Sequence, residues 1–385
     1  MNATAVSLST RPTHAPAGTA AAHVMATDLA SLRRRADDAT EADVFRALHT
    51  PYPSLADIAA LLSPAAATRI EDLAQAAHRI TVRRFGRVVR MFAPLYLSNE
   101  CISVCTYCGF RADNDIPRRT LTVDEARSEA GVLVDRGFRH VLLVSGEHPR
   151  LVSKDYLIEV VQALAPEVPQ LSVETQVWDT GTYRRLVDAG CDGLVAYQES
   201  YDLDTYGGVH VKGKKRNYHW RLAAPDRGAE AGMRRLGIAA LLGLHDDWRS
   251  EALALAAHAR ALIQRWWRTE VTVSLPRLRP AAGGFQPADV VSDADLTQLL
   301  AALRIGLPDV GIVLSTREPA ALRDALLPIG VTQMSAGSHT EPGGYAEESP
   351  AEAQFEVGDL RSPAAVADAL RAAGYDPVWK DWQRS

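Results

Sequence analysis

From residue 88 to residue 334 the chain alternates eight short apolar runs with amphipathic or connecting stretches, and this rhythm restricts its possible folds more than any other feature. The runs lie at 88–97, 141–144, 171–174, 193–197, 237–242, 271–275, 311–314 and 331–334. Strands that alternate with helices build parallel βα units, and a doubly wound open sheet produces the same local pattern as a closed barrel. The count of eight selects the barrel: an α/β, (β/α)8 TIM-type architecture.

Regular elements extend beyond the barrel. From about Asp28 to Phe85 the apolar spacing is helical, as in Leu55, Ile58, Leu61, Leu62 and then Ile70, Leu73, Ala77, Ile80, so residues 27–86 are expected to form a helical extension. Residues 87–340 would hold the barrel, and 341–385 a closing segment with an aromatic end. Residues 1–26 are rich in Ala, Thr, Pro and Ser and hold almost no large apolar side chains, which predicts a disordered tail.

In a closed barrel the functional groups collect on the loops that follow the strands. Cys101 follows the first run, Gly146 and Glu147 the second, Gln198 and Glu199 the fourth, Arg277 and Arg279 the sixth, and Arg317 the seventh. Their recurrence at the same end predicts one shared pocket. With 42 basic and 47 acidic residues the net charge is −5, which gives no basic excess to track a phosphate backbone and excludes nucleic acid as the expected partner. No apolar window reaches bilayer length and the start lacks a signal-peptide pattern, so no membrane association is expected and the reading is cytoplasmic.

Three of the four cysteines form Cys101-x3-Cys105-x2-Cys108, with Tyr107 before the third and Gly109-Phe110 after it. Such crowding suits metal chemistry in a reducing compartment better than a disulfide framework. Three thiolates on one loop can hold three corners of a four-iron four-sulfur cluster, which leaves the fourth iron without a protein ligand. That iron can chelate the amine and carboxylate of S-adenosylmethionine (SAM), so that one electron splits the sulfonium and yields a 5′-deoxyadenosyl radical. The competing reading is a zinc-binding scaffold with a distant fourth ligand, although no second cysteine pair completes a knuckle. Cys191 stands alone between Gly190 and Asp192 and reads as a packed thiol.

Pro94-Leu95-Tyr96-Leu97-Ser98-Asn99 running into the cysteines resembles the radical SAM aromatic-amino-acid lyases, and within them the 2-iminoacetate synthase family, the tyrosine lyases of thiamine biosynthesis. Further matching segments include Gly146-Glu147-His148, Tyr197-Gln198-Glu199-Ser200-Tyr201, His210-x-Lys212-Gly213-Lys214-Lys215, Trp220-Arg221-Leu222, Pro276-Arg277-Leu278-Arg279-Pro280, Ser315-Thr316-Arg317-Glu318 and Pro342-Gly343-Gly344-Tyr345. The resemblance implies a 4Fe-4S cluster, SAM, and cleavage of L-tyrosine to 2-iminoacetate and p-cresol. It also implies thiazole synthase as the recipient and flavodoxin or ferredoxin as the electron donor. A related lyase acting on tryptophan is the alternative within the same machinery.

Residue roles follow from the resemblance. Cys101, Cys105 and Cys108 would ligate the cluster, with Tyr107 beside SAM. Ser145, Gly146 and Glu147 would meet the methionyl amine, and Ile238 and Leu242 the adenine. Arg317 would grip the substrate carboxylate, Ser335 would be a second carboxylate or amine contact, and Tyr96 would neighbour the amino group. Glu174, Gln198 and Glu199 are placed on the cofactor side, while Arg277 and Arg279 are expected to face the same cavity. His210 and Lys212 to Lys215 read as a solvated basic loop. Two departures stand out: the stretch from Glu174 to Trp178 lacks a proline expected a few positions later, and the chain lacks the extra cysteine pair of the hydrogenase-maturing tyrosine lyase.

Overall fold

In the computed structural model of the protein, residues 14–347 and 349–380 are described. Eleven strands occur among them: β1 (Val88–Ser98), β2 (Val104–Cys105), β3 (His140–Ser145), β4 (Gln170–Glu174), β5 (Gly193–Val195), β6 (His210–Lys212), β7 (Arg235–Ala239), β8 (Glu270–Ser274), β9 (Gly311–Leu314), β10 (Gln333–Ser335) and β11 (Asp376–Val378). Eight of these form a parallel sheet in the order β1-β3-β4-β5-β7-β8-β9-β10, and pairing of β10 with β1 closes it into a barrel. All eight apolar runs become barrel strands. The run at 193–197 gives a short strand, Gly193–Val195, although Ala196 N and Gln198 N still donate to the β7 carbonyls of Gly237 and Ala239.

Closure depends on the unusual length of β1. Arg90, Met91 and Phe92 pair with β10, whereas Ala93 to Ser98 hold β3. The first residues of β1, Val88 to Arg90, pair with β11. This ninth strand escaped the sequence reading because three residues carry no usable period. A separate two-stranded ribbon, β2 with β6, places the cysteine loop against residues 210–212.

Helices pack around the barrel, and their starts are written in the sequence. Thr122 accepts the backbone N–H of Glu125 while Glu125 bonds back to Thr122, and Ser292 and Asp295 repeat the arrangement. The expected helical extension is present, but it begins earlier than predicted. Ala20–Ala26 is a helix, which corrects the disordered-tail reading for the described part of that segment; residues 1–13 lie outside the described residues. Its first N–H groups are taken by Asp226: Ala20 N and Ala21 N lie 3.0 and 3.2 Å from the two carboxylate oxygens. Ala20, Ala21 and Val24 are buried, and the helix packs on the Ala-rich helix Trp248–Arg265. Small side chains let the two helices approach closely, so dispersion contacts replace the large apolar groups that the sequence lacks.

Candidate active site

The pocket forms where the strand ends converge. β1 contributes Phe92, Pro94 and Tyr96, β4 contributes Glu174, and the loop after β9 contributes Arg317. Ser335 closes β10, while Gln354 and Phe355 come from the closing segment. Alternation along β1 turns Phe92, Pro94 and Tyr96 to the same face. Phe92, Tyr96, Phe110, Leu142 and Val144 form one apolar cluster, against which Cys101 and Cys108 pack. The wall of the chamber is therefore also the floor of the cysteine loop.

Within the chamber several polar groups are held in place, while the Ser338 hydroxyl is buried without a protein partner. The Arg317 guanidinium lies 3.4 Å from the centre of the Phe355 ring, which covers one face and leaves its N–H edges for an anion. Among the described residues no carboxylate forms an ion pair with it. Arg279 Nε donates to the Arg317 carbonyl over 2.5 Å and fixes the backbone. Ser335 Oγ accepts the N–H of Thr316 at 3.1 Å, so its own proton remains to be donated. Tyr96 donates to Gln354 Oε1 at 2.8 Å and meets Phe110 edge-on. Glu174 faces the chamber rather than bulk water; burial, then repulsion from Glu199, pushes its carboxyl up to about 7 against the pull of Arg317, Lys215 and Arg221.

A second polar group lies on the other side of the cysteine loop. Glu147 accepts from Ser103 Oγ at 3.1 Å and sits 3.5 Å from Arg221 Nη1. Glu199 accepts from Lys215 Nζ at 2.7 Å, with Arg221 Nη2 at 3.8 Å. Burial alone would raise the Glu199 carboxyl, but Lys215 and Arg221 outweigh it and hold it below the ordinary carboxylate range. Tyr107 Oη lies 2.9 Å from His210 Nε2. The other ring nitrogen of His210 faces the Tyr206 carbonyl at 2.8 Å, so it carries the proton and Nε2 accepts from the tyrosine.

Several expectations need correction. Arg277 does not face the chamber: Glu318, Asp293 and the carbonyl of Val291 occupy its guanidinium. Arg279 acts on backbone instead. A charged side chain after a barrel strand points wherever its counter-ions lie, and spacing does not reveal them. Ile238 and Leu242 are buried in the main core, whereas Leu241 is the side chain that groups with Val209, Leu244 and Tyr107. The basic loop divides: Lys212 and Lys214 are exposed, but His210 and Lys215 turn inward. Lys215, expected in that solvated loop, instead pairs with Glu199, and the sequence assigns no site role to Arg221, Gln354 or Phe355. Arg221 stood within a quoted motif, so a signal existed; Gln354 and Phe355 lie in a segment without periodicity.

The residues present fit a cluster with SAM. Three thiols share one loop, and Ser103 N approaches Cys101 Sγ at 3.4 Å, the kind of N–H contact that cluster sulfurs accept. Burial, then Cys108 and Glu147, pushes the Cys101 thiol up to about 11, and burial raises Cys105 as well; a coordinated metal would favour the thiolates against this burial. Among the described residues the sulfurs are not drawn together as ligands of one ion; a cubane asks instead for one sulfur on each of three irons. Both amide atoms of Gln198 and the Ser145 hydroxyl are buried without a protein partner, which leaves polar groups waiting for a ligand. A Cβ at Gly146 would collide with the carbonyl of Glu100, so only glycine lets this strand end lie against the cysteine loop.

Residues 95–256 match the Radical SAM superfamily and residues 274–376 the Biotin and Thiamin Synthesis associated domain. The chain is 43% identical to the 2-iminoacetate synthase of Escherichia coli (strain K12) over 355 residues, which cover 92% of this chain and 94% of that protein. It is 42% identical to the 2-iminoacetate synthase of Salmonella typhimurium, covering 91% and 93% of the two chains. The FeFe-hydrogenase maturase HydG from Carboxydothermus hydrogenoformans superposes with a TM-score of 0.84 at 35% identity, over 92% of this chain and 82% of that one. Methylornithine synthase (PylB) shares the fold, with a TM-score of 0.71 at 21% identity over 87% of this chain and 97% of that one. The cysteine loop, the closed barrel and a resemblance that runs nearly end to end lead to one assignment: the chain belongs to the 2-iminoacetate synthase family of radical SAM enzymes, which use a 4Fe-4S cluster and SAM.

Proposed function

We infer that the chain is a radical SAM carbon–carbon lyase that breaks the Cα–Cβ bond of L-tyrosine, giving 2-iminoacetate and p-cresol, with SAM converted to methionine and 5′-deoxyadenosine. The observation that carries this reading is the chamber, where Arg317, Ser335, Tyr96 and Glu174 surround a partly apolar space whose wall also packs Cys101 and Cys108. When bound, the cluster and SAM supply one-electron chemistry that ends in abstraction of a hydrogen atom from the substrate. The protein's share is placement and shelter.

Arg317 offers a planar two-point grip for the substrate carboxylate, and the Ser335 proton provides a further donor. Glu174 and Tyr96 lie where an ammonium group can be received. Phe92, Leu142 and Val313 furnish apolar surface for an aromatic ring. On the cofactor side, Ser145, Gly146 and Glu147 receive the methionyl amine, while Gln198 and Glu199 meet the remaining polar groups. Leu241 with Tyr107 takes the adenine role first given to Ile238 and Leu242. Because an imine hydrolyses in water, direct transfer to thiazole synthase suits the product, and flavodoxin or ferredoxin supplies the electron.

The reading is tested by anaerobic turnover of cluster-loaded protein with SAM, dithionite and either tyrosine or tryptophan. Release of p-cresol with glyoxylate, the hydrolysis product of 2-iminoacetate, is expected from tyrosine. Formation of 3-methyl-2-indolic acid from tryptophan, with tyrosine inert, would overturn the substrate.

A further inference from the structure

Gln354 belongs to the closing segment, outside the barrel, yet it touches both halves of the site. Its Nε2 approaches Cys108 Sγ at 3.8 Å and its Oε1 accepts the Tyr96 hydroxyl at 2.8 Å. We propose that Gln354 is a positioning residue that ties the reduction potential of the cluster to the occupancy of the substrate chamber, through a hydrogen bond to the Cys108 sulfur. The inference rests on the family reading above and deepens it.

The amide is held in place from both directions. Gln354 N donates to Thr340 O at 3.0 Å, Glu356 N to Pro280 O at 3.0 Å, and Gly358 N to Thr316 O at 2.8 Å. A Cβ at Gly109 would lie 2.7 Å from the Gln354 carbonyl oxygen, so the glycine after Cys108 allows the segment to lie directly on the cysteine loop. The orientation of the amide is determined as well. Tyr96 donates to its oxygen, which turns N–H toward the sulfur; the reverse orientation would set two acceptors, oxygen and thiolate, against each other. Phe355, the next residue, lies under Arg317. One short segment therefore bears on the carboxylate-gripping arginine and, one residue earlier, on a cluster cysteine.

An N–H bonded to a cluster thiolate draws charge from sulfur and favours the reduced state. Tyr96 lines the chamber, so an amino acid that enters competes for its hydroxyl and changes how firmly the Gln354 amide is anchored. Substrate arrival thus alters the hydrogen bond to Cys108 without touching the cluster.

The test is a redox titration of the cluster-loaded protein, followed by the electron paramagnetic resonance of the reduced cluster, with and without tyrosine and with iron and sulfide counts matched. At the wild-type midpoint, Gln354→Met should lower the ratio of reduced to oxidised cluster roughly threefold to tenfold, the weight of one hydrogen bond. Tyrosine should shift the wild-type midpoint and leave that of Gln354→Met unmoved. Tyr96→Phe, which removes only the hydroxyl, should shift the midpoint the same way by less. A fully loaded Gln354→Met that titrates with the wild type overturns the proposal. If that variant does not load its cluster, an unchanged midpoint in Tyr96→Phe overturns it instead. Wild-type protein with no cluster signal would sink the family reading, which is a distinct outcome.

Discussion

Lys215 Nζ donates to Glu199 Oε1 over 2.7 Å, with the carboxylate side chain 9% and the lysine side chain 15% exposed. Glu199 also has φ of 72°, and among the described residues no other non-glycine backbone has a positive φ. A strained backbone of this kind persists when its surroundings over-determine it; here Leu241 N donates to the Glu199 carbonyl at 2.7 Å while Lys215 and Arg221 hold the carboxylate. Lys215→Met should cost about 3–5 kcal/mol, because it leaves a buried carboxylate short of a counter-charge. Chemical denaturation of the cluster-loaded protein measures this. The double variant with Glu199→Gln should recover most of the loss, and a double variant as unstable as the single one would contradict the pairing.

Arg317 offers two parallel N–H bonds to an incoming carboxylate, with Phe355 beneath it. Arg317→Ala should lower kcat/KM for tyrosine by about 100-fold or more, since charge-assisted bonds weigh more than neutral ones. SAM cleavage should continue without coupling, seen as 5′-deoxyadenosine formed in excess of p-cresol. Lysine keeps the charge but not the planar fork, so Arg317→Lys should restore only part of the activity. Full turnover in Arg317→Ala would exclude the carboxylate role.

Glu174 gives a pH dependence whose sign follows from its carboxyl, raised to about 7 chiefly by burial and then by Glu199. Between the ordinary carboxylate range and pH 7 the folded protein binds more protons at this group than the unfolded chain does. Folding stability contributed by Glu174 therefore falls as pH rises through that window. Glu174→Gln stays neutral, and above pH 7 it should exceed the wild type by about 1–3 kcal/mol, with the difference vanishing below pH 4. Thermal melts from pH 4.5 to pH 8 test this; a constant gap between the two proteins would contradict it.

Asp226 holds the start of helix Ala20–Ala26 through the N–H groups of Ala20 and Ala21, and Trp266 Nε1 donates to the same carboxylate at 2.9 Å. Asp226→Ala should destabilise the protein by about 1–3 kcal/mol, the weight of a lost cap plus an unsatisfied indole N–H. Hydrogen exchange of residues 20–26 should rise selectively, while KM for tyrosine stays put because Asp226 is not among the residues that line the chamber. Unchanged exchange in the helix would exclude the capping role.

Much of this was legible in the sequence because it is local. Eight apolar runs set the eight barrel strands, and the cysteine triplet set the chemistry of the loop after β1, since spacing along a chain is itself a distance constraint. Strand ends bring Tyr96, Arg317 and Ser335 to one chamber, as barrel geometry requires, and Glu174, expected on the cofactor side, lines that chamber with them instead. What the sequence left open depends on contacts between distant segments. Whether an arginine faces the cavity is decided by its counter-ions: Glu318 and Asp293 draw Arg277 away, whereas Arg317 stays at the chamber with only a ring beneath it. Lys215 turned inward because Glu199 waits in a buried setting, where an unpaired charge costs far more than in water. Gln354 and the helix Ala20–Ala26 owe their places to Cys108, Tyr96 and Asp226, partners more than two hundred residues away along the chain.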